Sequence, residues 1–436
     1  MGKAMIYGGG LSGLSGKKIF EAEGKKCILV DDKIGVNSSE AEKLLEEVDI
    51  FLKSPGISPE NHLVQKAKNR GIQIVDEIEV AFRYLKKKSP KTKVIAVTGT
   101  NGKTTTTAKI AELLNFYGKK AVACGNIGKP FGEAIIENAE LDYVVVECSS
   151  FQLENIDQFK ADIALIINLA PDHLDRYENT EDYYDTKFNI GKNQEKNEKF
   201  IINLEDRESL KRTNKISGNI LGISKEKKKD AYVHVQDGKI KFHDEEIIEI
   251  KNLSLKGRHN LENMIFLVAV GKIEGIDNEI LKNYLMDAKP IEHRLESFFT
   301  VGKTVFINDS KGTNIDSTKF AVEAYSDPIL ICGGKDKKMD LFPLAELIKN
   351  NVKELYLIGE NRELIKKELE KIKYSQKKIH DCENLQKVME ELRGNIDLDS
   401  ENIILFSPAT SSFDQFKNFE ERGKIFKEMV KKYFSR

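Results

Sequence analysis

The sequence predicts an α/β protein of three domains, each a largely parallel sheet with flanking helices. Three observations carry that reading. Short apolar runs alternate with helix-like stretches along the chain, the pattern of buried strands joined by crossover helices. The apolar run at residues 94–97 leads into Thr98-Gly99-Thr100-Asn101-Gly102-Lys103-Thr104 and then a helix-like segment at residues 108–117, the layout of a phosphate loop at a strand-to-helix junction. An earlier run, residues 4–7, opens on Gly8-Gly9-Gly10-Leu11-Ser12-Gly13, which matches G-x-G-x-x-G between a strand and a helix. The middle block is therefore expected to be a P-loop-type ATPase fold and the outer two to be Rossmann-like.

Composition narrows the class. A chain of 436 residues has room for about two to four domains. Its 69 basic and 70 acidic residues leave a net charge of −1, which gives no general attraction to nucleic acid or to a membrane surface. The five cysteines, at 27, 124, 148, 332 and 382, are odd in number and never in CxxC spacing. That argues against a disulfide framework and for a reduced, cytoplasmic setting. No apolar run approaches the roughly 18 residues of a membrane span. The first residues run straight into a strand without a signal-peptide core, so membrane insertion is not expected. A monomer is the expected state.

The first block, residues 1–91, carries strand-like runs at 4–7, 27–30, 50–52 and 72–75. Asp31 and Asp32 follow the second run, where a ribose-binding acid belongs. About 90 residues precede the next phosphate loop, short for a full dinucleotide fold, so a half-sized sheet for one nucleotide diphosphate fits better. Ser54-Pro55-Gly56-Ile57, at a third strand end, adds to that rim or is simply a turn. The charged, proline-containing tract at 86–93 reads as a linker or an exposed helix end.

The second block, residues 92–290, opens with the phosphate loop. It departs from G-x-x-x-x-G-K-[ST] because Val97 stands where the first glycine belongs. Helix-start amides favour an anion; Lys103 reaches terminal phosphates as a point charge, and the Thr104 hydroxyl suits Mg²⁺. Further strands are expected at 143–146, 163–168 and 200–203, and a hairpin at 231–235 and 239–242 about Asp237-Gly238. Glu147, at a strand end, suits a Mg²⁺ ligand or is a solvated carboxylate. His173, in a polar loop among acids, suits substrate or metal-linked groups or is a surface histidine. Lys187 alone reads as an exposed helical lysine. A helix is expected from about 260 to 274, with Asn260 and Asn263 on one face; capping explains the first, and purine reading would explain both.

The last block, residues 291–436, has candidate strands at 305–308, 329–332, 354–358 and 402–406. Three of them lead into polar loops: Asn308-Asp309-Ser310-Lys311-Gly312-Thr313, Gly333-Gly334-Lys335-Asp336-Lys337-Lys338, and the stretch from Ser407 through Ser412 to Phe419. All three are expected at the carboxyl edge of one sheet, where open α/β folds bind ligands, and their Lys, Ser and Thr suit an anion.

Taken together, these motifs resemble the Mur ligase family, the ATP-dependent amide ligases that build the peptidoglycan stem peptide. The resemblance rests on residues 98–104, Gly125-Asn126-Ile127-Gly128, Glu147, Pro171-Asp172-His173, Gly257-Arg258-His259-Asn260, Glu292-His293-Arg294 and Asp309-Ser310-Lys311, in order over the whole chain. Within the family, the glycine-rich opening, Ser149-Ser150-Phe151-Gln152-Leu153-Glu154 and Asp414-Gln415-Phe416-Lys417-Asn418-Phe419 are similar to the member that adds D-glutamate to UDP-N-acetylmuramoyl-L-alanine.

That resemblance implies three roles. Residues 1–91 would hold the UDP part of the substrate through Leu11, Ser12, Asp31, Ser54, Pro55 and Gly56, with Asn126 and His173 nearer the reacting centre. Residues 92–290 would bind ATP through Gly99, Thr100, Asn101, Gly102, Lys103, Thr104, Thr105 and Asn263, assisted by Arg294 and Asp309 of the last block. Thr104 and Glu147 would hold one Mg²⁺, and His173 with a carbamylated Lys187 a second. Residues 291–436 would close over the site and bring D-glutamate on Lys311, Thr313, Lys337, Ser412 and Phe419. Lys103, His173, Lys187 and Lys311 would be catalytic. Around Lys337 the sequence departs from the family's more common Gly-Asp-Gly-Lys. Another Mur ligase or a folylpolyglutamate-synthase-like ligase with a different amino acid is the alternative within the fold. From other classes, an ATP-hydrolysing regulator and an NAD-dependent dehydrogenase are the rivals.

Overall fold

A computed structural model gives the fold. It describes every residue except 1, 139, 172–175, 178, 338, 376–377 and 436, and the side chains of 258, 259 and 316 are likewise left aside. The chain forms two compact units, Met1–Ala288 and Lys289–Arg436.

Two sheets build the first unit. The smaller has four parallel strands, β1 (Lys3–Tyr7), β2 (Lys26–Val30), β3 (Val48–Lys53) and β4 (Gln73–Val75), in the order β2-β1-β3-β4. The larger has nine: β5 (Lys93–Thr98), β6 (Ala121–Gly125), β7 (Tyr143–Glu147), β8 (Ile163–Ile166), β9 (Lys199–Asn203), β10 (Asn219–Ser224), β11 (Ala231–Gln236), β12 (Lys239–Phe242) and β13 (Glu245–Glu249). Their order is β13-β12-β11-β10-β9-β8-β5-β7-β6, parallel from β6 to β11 and antiparallel beyond.

β5 lies inside that sheet, and Val94, Ile95, Ala96 and Val97 are wholly buried, as a strand covered on both faces requires. Asp237 and Gly238 take φ of 52° and 71°, the left-handed pair that closes a two-residue hairpin between β11 and β12. The charged tract after residue 86 is the end of the helix Glu77–Lys88 and the turn into β5. Ile19 and Phe20 from the smaller sheet's first helix share one core with Ile78, Phe131, Val144 and Ile166, so the two sheets fold as a single unit.

The second unit is a six-stranded sheet, β14 (Glu296–Val301), β15 (Thr304–Asn308), β16 (Ile329–Cys332), β17 (Glu354–Ile358), β18 (Ile379–Glu383) and β19 (Asn402–Phe406), in the order β14-β15-β19-β16-β17-β18. Only β14 runs antiparallel. Two separate cores, one around Leu344 and Ile348 and one around Leu392 and Phe426, cover its two faces.

Candidate active site

The phosphate loop turns where glycine is needed. Gly99 and Gly102 have φ of 146° and 83°, and Gly102 is the N-cap of the helix Lys103–Phe116. The loop is latched to the segment after β8. Thr100 N donates to Asn168 O at 2.8 Å, Asn101 N to Asn168 Oδ1 at 2.9 Å, and the Thr100 hydroxyl to Ala170 O at 3.1 Å. Such bonds fix the loop before any ligand arrives.

Two lysines converge on it. Lys103 Nζ donates to Gly99 O at 2.9 Å and Thr100 O at 2.8 Å. Lys187, from the helix Thr180–Phe188, donates to the same Gly99 oxygen at 3.0 Å. The sequence suggested an exposed lysine at 187 on local grounds, whereas the side chain is 1% exposed and its ammonium stands 4.6 Å from the Tyr183 ring centre. Thr104, the second helical residue, is buried, and Thr105 follows it.

Glu147 ends β7, the neighbour of β5, and is buried rather than solvated. Its Oε1 accepts from Asn126 Nδ2 at 3.0 Å. Its Oε2 is buried with no hydrogen-bond partner among the described residues. An orphaned buried carboxylate oxygen beside a phosphate loop fits a cation. Among the described residues there is no group of three or more His, Cys, Asp or Glu side chains placed to hold a metal, so hydroxyl, carbamate or phosphate oxygens would have to complete one. His173 lies outside the described residues.

Asn263 backs the loop. It lies in the helix Arg258–Ile273, is buried, and its Oδ1 accepts from the Thr106 hydroxyl at 3.2 Å. A Cβ on Gly102 would come within 2.6 Å of that oxygen. Asn260 instead donates to Lys256 O at 2.8 Å at the helix start.

At the smaller sheet, Asp31 organises the first glycine loop. It accepts from the N–H groups of Gly9 at 2.8 Å and Lys33 at 2.9 Å. The amides of Lys33 and Gly9 hold its carboxyl below the usual carboxylate range. Gly13 packs so tightly that a Cβ there would sit 1.9 Å from Gly8 O. Ser54 Oγ donates to Gly8 O at 3.0 Å, joining the two loops of this rim. Leu11 is 70% exposed and Ser12 half-buried at the start of the helix Leu11–Ala22, while Pro55 is half-buried and Gly56 exposed.

In the second unit, β15, β19 and β16 are neighbours, and the three predicted loops follow their carboxyl ends. The loops are bonded together. Ser407 Oγ donates to Asp309 Oδ2 at 2.7 Å, Lys335 N to Ser411 O at 3.0 Å, and Lys337 Nζ to Thr313 O at 2.8 Å. Burial lifts the Asp309 carboxyl to about 6, against the pull of the Ser407 hydroxyl and the Arg294 charge. Burial and then the Arg422 charge lower Lys337. Lys311 N bonds His293 O at 3.0 Å, Ser412 is buried, and Phe419 starts the helix Phe419–Phe434 with its ring edge-on to His293.

Sequence reasoning passed over Arg422. It is buried and ties these loops, donating to Ser310 Oγ, Ser310 O and Thr410 O at 3.0, 2.8 and 3.1 Å. Its place three residues after Phe419, one helical turn on, was the available signal. Lys53, Glu154 and Arg176 were also missed as a group, because they come from a strand end and two separate loops.

The class these features define is that of the Mur ligases. The family model described as the Mur ligase middle domain matches residues 97–271. A UDP-N-acetylmuramoylalanine–D-glutamate ligase of Fusobacterium nucleatum is 52% identical over 434 residues, covering 100% of both chains. Another so named, from Thermoanaerobacter pseudethanolicus, is 35% identical over 450 aligned residues, covering 98% of each. The crystal structure of the UDP-N-acetylmuramate-alanine ligase MurC from Thermotoga maritima shares the fold, with a TM-score of 0.58 at 17% identity over 99% of each chain. The chain belongs to the Mur ligase family, in its branch of UDP-N-acetylmuramoylalanine–D-glutamate ligases.

Proposed function

We propose that this protein uses ATP to join D-glutamate to UDP-N-acetylmuramoyl-L-alanine, releasing ADP and phosphate, as a cytoplasmic monomer in peptidoglycan precursor synthesis. The observation that carries the reading is the loop at residues 99–104, a glycine turn at a helix start with the Lys103 ammonium on the Gly99 carbonyl. The names and full-length identity of its relatives support the choice of substrates.

Activation and transfer are two steps. A carboxylate oxygen of the muramoyl-alanine forms a bond to the γ-phosphorus of ATP as the bond to ADP breaks. The D-glutamate nitrogen then attacks the acyl carbon, loses its proton, and phosphate departs with the broken C–O bond. The first step brings two anions together, and Lys103 opposes their repulsion. The loop amides and the dipole of the helix Lys103–Phe116 hold the phosphates. The resemblance assigns Thr104 and Glu147 to one Mg²⁺, and His173 with a carbamylated Lys187 to a second. Bound there, Mg²⁺ screens charge on the transferring phosphoryl group. The orphaned Glu147 oxygen supports the first of these sites. Forming the carbamate takes two protons from the Lys187 ammonium, one to free the nitrogen lone pair and one as the N–C bond to CO₂ forms, which turns a buried cation into an anionic oxygen donor.

Leu11, Ser12, Asp31, Ser54, Pro55, Gly56, Asn126 and His173 are assigned to the UDP substrate. Asn263, Arg294 and Asp309 are assigned to the adenosine, and Lys311, Thr313, Lys337, Ser412 and Phe419 to D-glutamate. Three functional domains follow, at residues 1–91, 92–290 and 291–436.

The test is to mix protein, ATP, Mg²⁺ and the UDP-sugar, vary the amino acid, and identify the product by mass. Product with D-glutamate alone supports the reading. Product with L-lysine or diaminopimelate instead would point to a sister ligase, and phosphate release without any amino acid to a hydrolase.

A further inference from the structure

Three separate segments of the first unit meet on one carboxylate. Glu154, in the turn after β7, accepts from Lys53 Nζ at 2.9 Å, from Arg176 at 2.9 Å and from the Tyr177 hydroxyl at 3.3 Å. Lys53 ends β3, is fully buried, and faces Asp76 at 3.5 Å as well. The Arg176 guanidinium lies 4.1 Å from the centre of the Phe151 ring and donates to two further acceptors, Pro55 O at 2.5 Å and Ile57 O at 3.1 Å. Lys53 Nζ reaches the same Ile57 carbonyl at 3.4 Å.

One guanidinium thus holds the carbonyls on both sides of Gly56. Gly56 is exposed, and among the described residues a Cβ there would meet no atom within 4 Å. Among the described residues, the loop is fixed from behind and open in front. Among the described residues, two cations face two carboxylates, so these four largely buried groups balance one another. The planar fork of arginine suits two carbonyls and a ring face at once, which a lysine cannot match.

We infer that Arg176, seated on Glu154 and Phe151 and seconded by Lys53, is a positioning residue that shapes residues 55–57 for the UDP-bearing substrate. This rests on the assignment of that loop to the UDP part in the proposed function. Through Glu154 and Arg176, the loop is tied to the segments that follow β7 and β8. Substrate binding at the smaller sheet is thereby set in register with the larger one.

The test uses the full chain with R176M, R176K and E154Q. Removing one charge-assisted contact from a buried network is expected to raise KM for UDP-N-acetylmuramoyl-L-alanine by about 10–100-fold. KM for ATP and for D-glutamate should stay within about twofold of wild type, and R176K should recover part of the loss. Equal movement of all three KM values, or no movement in any, would overturn the inference. Should R176M fail to fold, E154Q is judged by the same criterion. Calorimetric binding of the UDP-sugar to wild type and variants separates the two ideas. Wild type that binds it but forms no product with D-glutamate contradicts the functional reading, while variants that bind it as tightly as wild type contradict the role of Arg176.

Discussion

Lys103 and Lys187 donate to one and the same oxygen, the Gly99 carbonyl, at 2.9 and 3.0 Å. They reach it from different helices, one starting at the phosphate loop and one lying beyond β8. A single loop carbonyl thus gathers both side chains, one proposed to keep its charge for the polyphosphate and one proposed to exchange it for a carbamate.

Their expected roles differ, and so do the expected failures. Lys187→Ala should lose most activity, and acetate or formate should restore part of it by supplying the missing carboxylate oxygens. Activity unchanged in Lys187→Ala would refute the carbamate assignment. The readout is D-glutamate-dependent phosphate release with and without the added acid.

Lys103→Ala should lower kcat on the order of 10²–10³-fold or more, the scale for removing one charge-stabilising donor from a preorganised site. Short carboxylic acids should not rescue it, because a cation is missing there. Single-turnover phosphate release measures this directly.

Glu147→Gln should raise the Mg²⁺ concentration for half-maximal rate by at least about tenfold, the lower end for disturbing even an outer partner of a metal site. The Asn126 bond to Oε1 leaves Oε2 as the oxygen at stake. An unchanged Mg²⁺ titration would remove Glu147 from the metal set.

A pH dependence of stability follows from Glu77, where the helices of the two sheets of the first unit meet. It is fully buried and accepts from Gly132 N at 2.7 Å and Ser15 Oγ at 2.8 Å. Burial lifts its carboxyl from an ordinary 4.5 to about 7. A raised value favours the folded state below the unfolded value, and that advantage is lost as pH rises from 4.5 to 7. The loss is on the order of 3 kcal/mol. Burial raises neighbouring Asp76 to about 6, which acts in the same direction. Glu77→Gln should therefore narrow the difference in urea midpoint between pH 5 and pH 7.5. An equal gap in both proteins would contradict it.

The fold was legible where strands are buried on both faces. β5, β7, β8, β9, β15, β16, β17 and β19 all stood out as apolar runs. Of the strands that did not, β6, β13, β14 and β18 are the edges of the two larger sheets. Glu245, Glu246 and Glu249 in β13, or His380, Asp381 and Glu383 in β18, carry the charge that an exposed edge tolerates and periodicity cannot detect. β10, an interior strand, escaped because Gly222 and polar ends shorten its apolar run.

In the site, the phosphate loop and the three loops of the second unit were visible because each follows a strand. The burial of Lys187 was not, since the helix Thr180–Phe188 is polar on average and only its packing hides that one side chain. The Lys53–Glu154–Arg176 cluster was also hidden, because its members lie 101 and 22 residues apart in sequence.

The most direct measurement is a crystal soaked with Mg²⁺ and a non-hydrolysable ATP analogue. The triphosphate should lie on the amides of residues 99–104, with Lys103 turned from the Gly99 and Thr100 carbonyls onto the terminal phosphates. Nucleotide bound elsewhere, with this loop bare, would contradict it.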